Sequence, residues 1–551
     1  MFHLLRQIST LSSLFQPASS IKLILVVTFF VFLYIWSSSH TNPSSRPPPS
    51  PPKLPIIGNI HQLGLIPHRS LQALIRRYGP LMLLRFGSKP VLVVSSAEAA
   101  RQLFQPHDIL LSDRPRVAFF KKIFYNHRDM ASSPYGEYWR QLRSVCVLNL
   151  LSHKSVRSFR SVRQEKTNSL LSSIDQQCSS SSSSSSSSVV NLSELFLELT
   201  HDVIATVSLG RKGSSGENGR RLKQLTRELT VLFTDMCIGD YIPWPACSGG
   251  TKCPTHIWIL VPPLLGWVDR LKGLDTKVDD LAKRIDEFLD MIVQQHIDSL
   301  VNGSSDGMDE DDDDQKGNDF IDILLRFQRE DPAGVSVDRV SIKAVLLDMF
   351  VAGTDNTYIV LEWTMSELLR NPRIMEKLQK EVRGIAGSKK HITEDDLEEM
   401  HYLKAVVKET LRLHPPTALL FPRLMAQDVK VMGYDIKANT QIMINAWQIG
   451  RDPEAYDNPE KFEPERFFNN TGIDYKGHDF QFLPFGTGRR GCPGIHFALV
   501  VEEFALAKIV HKFNWKLPGG AKGEDLDMTE RPGTVRYRKY PLQAIATPYS
   551  C

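Results

Sequence analysis

The strongest structural signal in this sequence is a short loop, residues 482–494, which reads FLPFGTGRRGCPG and contains one cysteine. Glycines stand on both sides of Cys492, and the apolar spacing of residues 495–510 predicts a helix immediately after the loop. Glycines let the backbone approach a flat ligand closely and expose amide N–H groups that can stabilise a thiolate. With Arg489 and Arg490 beside it, this setting favours a metal-binding thiolate over the alternative, an inert core thiol.

The composition is that of a large, ordered, enzyme-sized globule. Of the 551 residues, 42% are apolar and 23% are charged, which excludes a largely disordered chain. The 66 basic and 62 acidic residues leave a formal charge of only +4, so no nucleic-acid partner is expected. The seven scattered cysteines include no C-x-x-C pair, which argues against a disulfide scaffold or a zinc ribbon.

An apolar segment near the N-terminus is long enough to cross a membrane. Residues 21–39 number 19, or roughly 28 Å of helix, close to the hydrocarbon thickness of the endoplasmic reticulum. A cleaved secretory signal is the alternative, but Tyr34, Trp36 and the lack of an A-x-A site favour an uncleaved anchor. More basic residues follow the segment than precede it, which predicts a lumenal lead, residues 1–20, and a cytosolic main domain.

The remaining chain divides into a hinge and one large domain, residues 60–551. The proline-rich hinge, residues 40–59, predicts a semi-rigid spacer, with an SH3 ligand as the alternative. Two flexible surface inserts are expected at 179–188, a run of serines, and at 302–318, an acidic run without the spacing of a calcium loop. We predict a mainly α domain with a small β-sheet region. Helices are expected around 277–299, 341–370, 400–413 and 495–513, and a hairpin over 81–95.

Five motifs, in order along the chain, resemble landmarks of the cytochrome P450 superfamily, the haem-thiolate monooxygenases. They are Trp139-x-x-x-Arg143, Ala352-Gly353-Thr354-Asp355, Glu409-Thr410-Leu411-Arg412, Pro464-Glu465-Arg466-Phe467 and Phe485-x-x-Gly488-x-Arg490-x-Cys492-x-Gly494. The resemblance covers nearly the whole chain and is greatest to the plant A-type microsomal group. It implies a cytochrome P450 fold, a single large domain behind an N-terminal transmembrane helix.

The resemblance implies a role for each motif. Cys492 would be the axial ligand of the iron of haem b. The residues expected to contact the haem are Trp139, Arg143, Phe485, Gly486 and Arg490. Arg423 is a further candidate for a haem propionate, whereas Glu409, Arg412 and Arg466 would form a structural ion network. Without haem, Trp139 and Arg143 would form one face of an ordinary amphipathic helix.

The distal helix departs from the family pattern at one position. The family pattern there is an acid followed by a threonine whose hydroxyl takes part in proton delivery, but this chain has Asp355-Asn356-Thr357. Thr357 is no simple substitute, because one residue along a helix turns the side chain by about 100°. We take all three as catalytic candidates. Asn356 is either a tolerated substitution in an ordinary hydroxylase or a sign of atypical chemistry.

The expected function is insertion of one oxygen atom from O2 into a small hydrophobic plant metabolite such as a terpenoid, alkaloid, coumarin or phenolic. Electrons would come from NADPH through cytochrome P450 reductase, with cytochrome b5 as a second donor, at the endoplasmic reticulum membrane. The substrate pocket is expected at Val117, Phe120, Ala352, Ala418, Leu419, Leu420 and Val535. Two alternatives remain: an atypical enzyme (oxidative coupling, desaturation, isomerisation or dehydration), or a tethered ligand-binding protein without turnover.

Overall fold

The computed structural model describes residues 28–29, 46–54, 57–180, 189–234, 274–302, 319–330, 337–389, 391–469 and 472–549. The predicted anchor lies outside these residues, except for Thr28 and Phe29, which are helical. The first two residues of the serine insert, Ser179 and Ser180, end a helix, and the rest of that insert lies outside the described part. Of the acidic insert, only Asn302, the last residue of another helix, is described.

The described chain is mostly helical, as the sequence predicts. In chain order the α-helices are α1 Pro67–Tyr78, α2 Ala97–His107, α3 Ala118–Ile123, α4 Glu137–Val145, α5 His153–Ser158, α6 Arg160–Ser180, α7 Leu192–Ser214, α8 Gly216–Thr234, α9 Leu274–Asn302, α10 Phe320–Glu330, α11 Arg339–Arg370, α12 Pro372–Ala386, α13 His401–Leu413, α14 Ala446–Ile449, α15 Glu465–Phe468 and α16 Ile495–Lys512. The four helices expected from apolar spacing correspond to α9, α11, α13 and α16, so these predictions are confirmed.

The strands form small sheets at the edge of the helical body. They are β1 Leu81–Phe86, β2 Lys89–Val94, β3 Val189–Asn191, β4 Arg423–Leu424, β5 Val429–Val431, β6 Tyr434–Ile436, β7 Gln441–Ile444, β8 Phe513–Lys516 and β9 Gln543–Pro548. The described strands make a four-stranded sheet in the order β1-β2-β7-β4, a three-stranded sheet β3-β9-β8 and a hairpin β5-β6. The predicted hairpin is β1–β2, in which Leu81 pairs with Val94, and β2 runs parallel to β7.

The long helix α11 lies at the centre of the fold. Asp338 caps its N-terminus by accepting a hydrogen bond from Ser341 N at 2.8 Å, and the helix ends at Arg370, just before Asn371 and Pro372. Among the described helices, α11 alone is long and apolar enough to cross a membrane. About two-thirds of its most apolar stretch is buried inside the protein, which identifies it as a core helix.

The packing of α11 against α7 depends on one glycine. A β-carbon at Gly353 would lie only 2.5 Å from Ile204 Cδ1 on α7, so no larger residue fits without a shift. The close approach holds the middle of α11 in place. One side of this middle segment faces an internal cavity.

Candidate active site

The cysteine loop, residues 482–494, is held in a fixed shape by its own backbone. Cys492 N donates to Phe485 O at 2.9 Å, and Gly486 adopts a positive φ of 73°. Gly488 is also left-handed, and a β-carbon there would lie 1.8 Å from Asp108 Oδ1. The Asp108 carboxylate accepts from Arg489 N at 3.2 Å, so it fills the space that only a glycine leaves open.

A cavity of about 300 Å³ lies between this loop and α11. Cys492 is exposed to it, and the opposite wall is formed by one side of α11. The α11 residues on that wall are Asp348, Met349, Ala352, Gly353, Asn356, Thr357 and Val360. The cavity is within the range of volumes that ligand sites occupy in proteins.

The electrostatic setting of the Cys492 thiol has opposing parts. Burial raises the pKa of the Cys492 thiol, while the Gly494 N–H and the Arg143 guanidinium act to lower it. Burial dominates in the protein alone. The Gly494 N–H and the Arg143 guanidinium both stabilise the thiolate, which is the form of the thiol that binds a metal cation. The two groups are in position before any cation binds.

Four arginines converge at one end of the cavity, which is lined by Arg114, Arg143, Arg423 and Arg490. Burial lowers the pKa of Arg490 to about 9 and that of Arg423 to about 10, and in both cases Arg143 lowers it further. Burial also lowers the pKa of Arg114, with help from Arg423 and Arg490. So many buried cations close together favour an anionic ligand.

Arg423 has the strongest need for such a ligand. It is buried, and its Nη1 makes no hydrogen bond within the described protein; Asp108 Oδ1 lies 3.7 Å away. By contrast, Arg490 donates to Ser112 O and Ser133 O, each at 2.6 Å, and Arg143 donates to Gly491 O at 2.8 Å. Two carboxylates would fit this end of the cavity, as expected of haem propionates.

Trp139 supports the arginines and does not line the cavity. Its Nε1 donates to Met130 O at 3.0 Å, and its ring lies 4.0 Å from the guanidinium carbon of Arg490 and 5.5 Å from that of Arg143. The ring thus orients both guanidinium groups. Phe485 and Gly486 do line the cavity, beside Cys492.

The three candidates on the distal helix face different ways. Asn356 and Thr357 line the cavity, but Asp355 does not. The Asp355 carboxylate accepts from Thr230 Oγ1 at 2.7 Å and from Tyr537, and burial raises its pKa. Asn356 Nδ2 donates to Ala352 O at 3.0 Å, which leaves its Oδ1 as an acceptor.

The three residues expected to form an ion network are brought together behind the site. Glu409 is fully buried, and its two oxygens accept from Arg412 Nε and Nη2, each at 2.7 Å. Arg466 Nε adds a third bond at 3.0 Å and Glu463 N a fourth at 2.8 Å. Arg412 also donates to three backbone carbonyls, of which Gly450 O is at 2.5 Å. The network ties α13 to the segment before the cysteine loop.

The expected substrate pocket is only partly brought together. Of its seven residues, Ala352 and Leu420 line the cavity, whereas Val117, Phe120, Ala418, Leu419 and Val535 do not. Leu419 packs in the core beneath β1 and β2. Phe120 stacks on Phe421, at 5.2 Å between ring centroids, and so lies behind a wall residue. The turn at 417–420 explains why Leu420 lines the cavity and Leu419 does not. Leu420 has a positive φ of 48°, so the two neighbouring side chains point in different directions.

The predicted set of site residues omits many wall residues, among them Arg114, Ile204, Asp348 and Phe421. Arg114 donates to Ala131 O, Phe421 O and Pro422 O, so it also fixes the turn. Asp348 precedes Ala352 by one helical turn, which is the signal that could have placed it on the same side of α11. The others come from segments distant in sequence, and no local pattern marks them.

The chain belongs to the cytochrome P450 family, whose model matches residues 48–250 and 254–542. The family is one of haem-dependent monooxygenases, and the Cys492 thiol that faces the cavity, with its arginine cluster, fits a haem with two propionates. Within the family the chain falls in the plant A-type group.

Similar proteins support this assignment along the full length. Cytochrome P450 736A117 of Prunus mume is 56% identical, covering 99% of this chain and 98% of that protein. Norfluorocurarine oxidase of Strychnos sp. is 46% identical, covering 95% and 97%. A zebrafish cytochrome P450 solved with progesterone has the same fold, with a TM-score of 0.70 at 22% identity over 88% of this chain and 99% of that one.

Proposed function

We propose that this protein is an NADPH-dependent monooxygenase that inserts one oxygen atom into a small apolar plant metabolite, of the terpenoid, alkaloid, coumarin or phenolic class. The observation that carries the proposal is that Cys492, Ala352 and Asn356 line one and the same cavity. This arrangement leaves room for a flat cofactor on the thiol side and for a substrate on the helix side.

The residues of the cysteine loop and the arginine cluster would hold the haem. Cys492 would bind the iron, and Arg143, Arg423 and Arg490 would pair with the propionates, with Trp139 holding two of the guanidinium groups in position. The chemistry that haem supplies when bound is the activation of dioxygen. The Glu409 network would keep the loop in register with α13 and so preserve the haem site.

An apolar substrate suits the rest of the wall. Ile204, Val360, Leu420 and Phe421 are apolar residues that line the cavity. One relative is named an oxidase of norfluorocurarine, and a solved neighbour was obtained with progesterone. Both names denote small organic molecules, which is consistent with a substrate that the cavity could enclose.

Asn356 would change how protons and water are arranged beside the substrate. One of its two amide N–H groups is directed to Ala352 O, so the side chain retains one N–H donor and its Oδ1 acceptor. It can orient a water molecule, but it cannot pass a proton through as a hydroxyl would. The proton must then reach the cavity by another route.

Electrons would arrive from NADPH through cytochrome P450 reductase, or from cytochrome b5, on the surface near Cys492. Arg489 is half exposed there and could attract an acidic partner. The predicted anchor would hold the protein in the endoplasmic reticulum membrane with residues 60–551 in the cytosol.

The test is an incubation of microsomes containing this protein and a plant reductase with a pooled plant metabolite extract under labelled dioxygen. C492S serves as the inactive variant and C178S as the matched control, because Cys178 lies on α6 away from the cavity. We expect an NADPH-dependent product carrying one labelled oxygen atom, present with C178S and absent with C492S.

The other outcomes identify the alternatives. An unlabelled product that requires NADPH would indicate desaturation or oxidative coupling, and one that does not require NADPH would indicate isomerisation or dehydration. A haem-loaded, reducible protein that forms no product from any extract would contradict the proposal and favour a ligand-binding role.

A further inference from the structure

A chain of hydrogen-bonded side chains leads from the loop after α3 to the cavity. His127 Nδ1 lies 3.0 Å from Ser132 Oγ, and the Ser132 hydroxyl donates to Asp129 Oδ1. The carboxyls of Asp129 and Asp348 are hydrogen-bonded to each other. Asp348 lies on α11 and lines the cavity. The chain therefore has one end at the loop and the other at the cavity wall.

The donors in this chain all point the same way. Because the Ser132 hydroxyl donates to Asp129, its oxygen is free to accept from His127 Nδ1–H. A proton taken up at His127 Nε2 would release the one at Nδ1 to Ser132, which would pass its own hydrogen to Asp129. Asp129 would then protonate Asp348, which would release a proton to the cavity. His127 would be left with its hydrogen on Nε2, so its ring must turn to restore the Nδ1–H before the next transfer.

We infer that these four side chains deliver protons from the loop to the cavity: His127, Ser132, Asp129 and Asp348. The inference deepens the proposed function and rests on it, since the delivered protons would serve the reduction of dioxygen. In this role the two aspartates are positioning and relay groups, because neither is shown to touch the substrate.

The two carboxyls suit a shared proton. Both are buried, at 0% exposure for Asp129 and 5% for Asp348. Burial raises the pKa of each, and for Asp348 the neighbouring Asp129 raises it further. Two buried carboxyls in contact cannot both ionise easily, so one of them keeps a proton near neutral pH.

Titratable groups on the surrounding elements also act on the four side chains of the proton chain. The ones that face it are Arg114 and Arg490 near Asp129, Cys146 near Asp348, and Arg116 and Lys121 near His127. The two arginines beside Asp129 favour one negative charge on the pair. Burial and the two cations beside His127 lower its pKa, so the imidazole is mostly neutral at pH 7 and able to exchange protons.

Asp355 and Asn356 do not form the proton route that is expected on the distal helix, so protons need another path to the cavity. The four hydrogen-bonded side chains provide one. Asp355 is turned to Thr230 and Tyr537, and Asn356 donates to its own helix. Asp348, one turn before Ala352, is thus a carboxylic acid that faces the cavity on α11. It could protonate water there.

A purely structural role is the competing explanation. Asp348 Oδ2 also accepts from Met130 N at 2.6 Å, so the pair joins the loop to α11. A second contact joins this loop to the start of α11, where Arg128 Nη1 donates to Asp338 Oδ2 at 2.7 Å. Asp338 is outside the proton chain, which makes D338N the matched control for loosening of the loop.

The experiment compares the holoenzymes of wild type, D129N, S132A, D348N and D338N, using the product identified above. Product formed per NADPH, hydrogen peroxide released and the solvent deuterium isotope effect are measured for each. A general acid or base typically contributes at least about 100-fold, so we expect product formation to fall by that order in D348N and D129N. Hydrogen peroxide should rise in both, S132A should resemble them, and D338N should resemble wild type.

Infrared spectroscopy gives a readout that does not depend on turnover. The difference between wild type and D348N at pH 7 should contain a carboxylic-acid C=O band that shifts in D2O. Its absence would overturn the inference, even if no product were known. A band together with unchanged product yield and isotope effect in D348N would also overturn it, since the acid would then be structural only. If wild type forms no labelled product while the band is present, the proposed function fails and the shared proton stands.

Discussion

Replacement of Glu409 by glutamine tests the energetic account of the ion network. Glu409 is fully buried and accepts four hydrogen bonds, two from Arg412, one from Arg466 and one from Glu463 N. E409Q keeps the size of the side chain but leaves two guanidinium groups without their shared anion. Breaking a buried ion pair in this way costs about 3–5 kcal/mol.

E463Q is the matched control, because Glu463 forms an ion pair at the surface with Arg466, one of the two arginines that bind Glu409. Its Oε2 lies 3.4 Å from Arg466 Nη2 and the side chain is 36% exposed, so its loss should cost about 0–1 kcal/mol. Urea unfolding, followed by tryptophan fluorescence and by haem absorbance, measures both variants. We expect the free energy of unfolding to fall by at least about 2 kcal/mol more in E409Q than in E463Q. We also expect E409Q to lose its haem. Equal stabilities would refute the view that Glu409 anchors the site through its charge.

Three further predictions follow from single contacts. G353A should cost about 1–3 kcal/mol in thermal unfolding because its β-carbon would meet Ile204, and I204A in the same chain should recover part of the loss. R423M should stabilise the haem-free protein by removing a buried cation without a hydrogen-bond partner at Nη1, yet speed haem release, measured by transfer to apomyoglobin, by about tenfold. Burial lowers the pKa of His414 to about 4, below its ordinary 6.5, so the unfolded chain takes up a proton first as the pH falls. Stability should therefore fall by about 3 kcal/mol between pH 6.5 and 4, and urea unfolding of H414Q should show a smaller fall.

The sequence predicts the parts of the site that local patterns encode. The cysteine loop, the paired Glu409 and Arg412 on one helix, and the central helix all follow from spacing along the chain, because each pattern lies within one element. Arg466 also joins Glu409, although the sequence places it there only through the family resemblance. These residues are where motif and geometry agree.

Side-chain direction in turns is what the sequence does not predict. Leu419 and Leu420 are identical residues in sequence, yet one packs under the sheet and the other faces the cavity. The left-handed backbone of Leu420 causes the difference, and a leucine gives no sign of it. Nor does the sequence predict the direction of Asp355, because the Thr230 hydroxyl that holds its carboxylate comes from a distant helix.

The parallel pairing of β2 with β7 has a consequence for synthesis of the chain. Val91 pairs with Gln441, 350 positions later, and β3 pairs with β9 near the end of the sequence. At about 5–20 residues per second, the ribosome needs roughly 20–70 s to produce β7 after β2 has emerged. During that time β2 has one unpaired edge, which is open to pairing with other nascent chains. We therefore expect soluble yield to depend on chaperones that cover early strands, and slower expression at low temperature to help only if those chaperones are present.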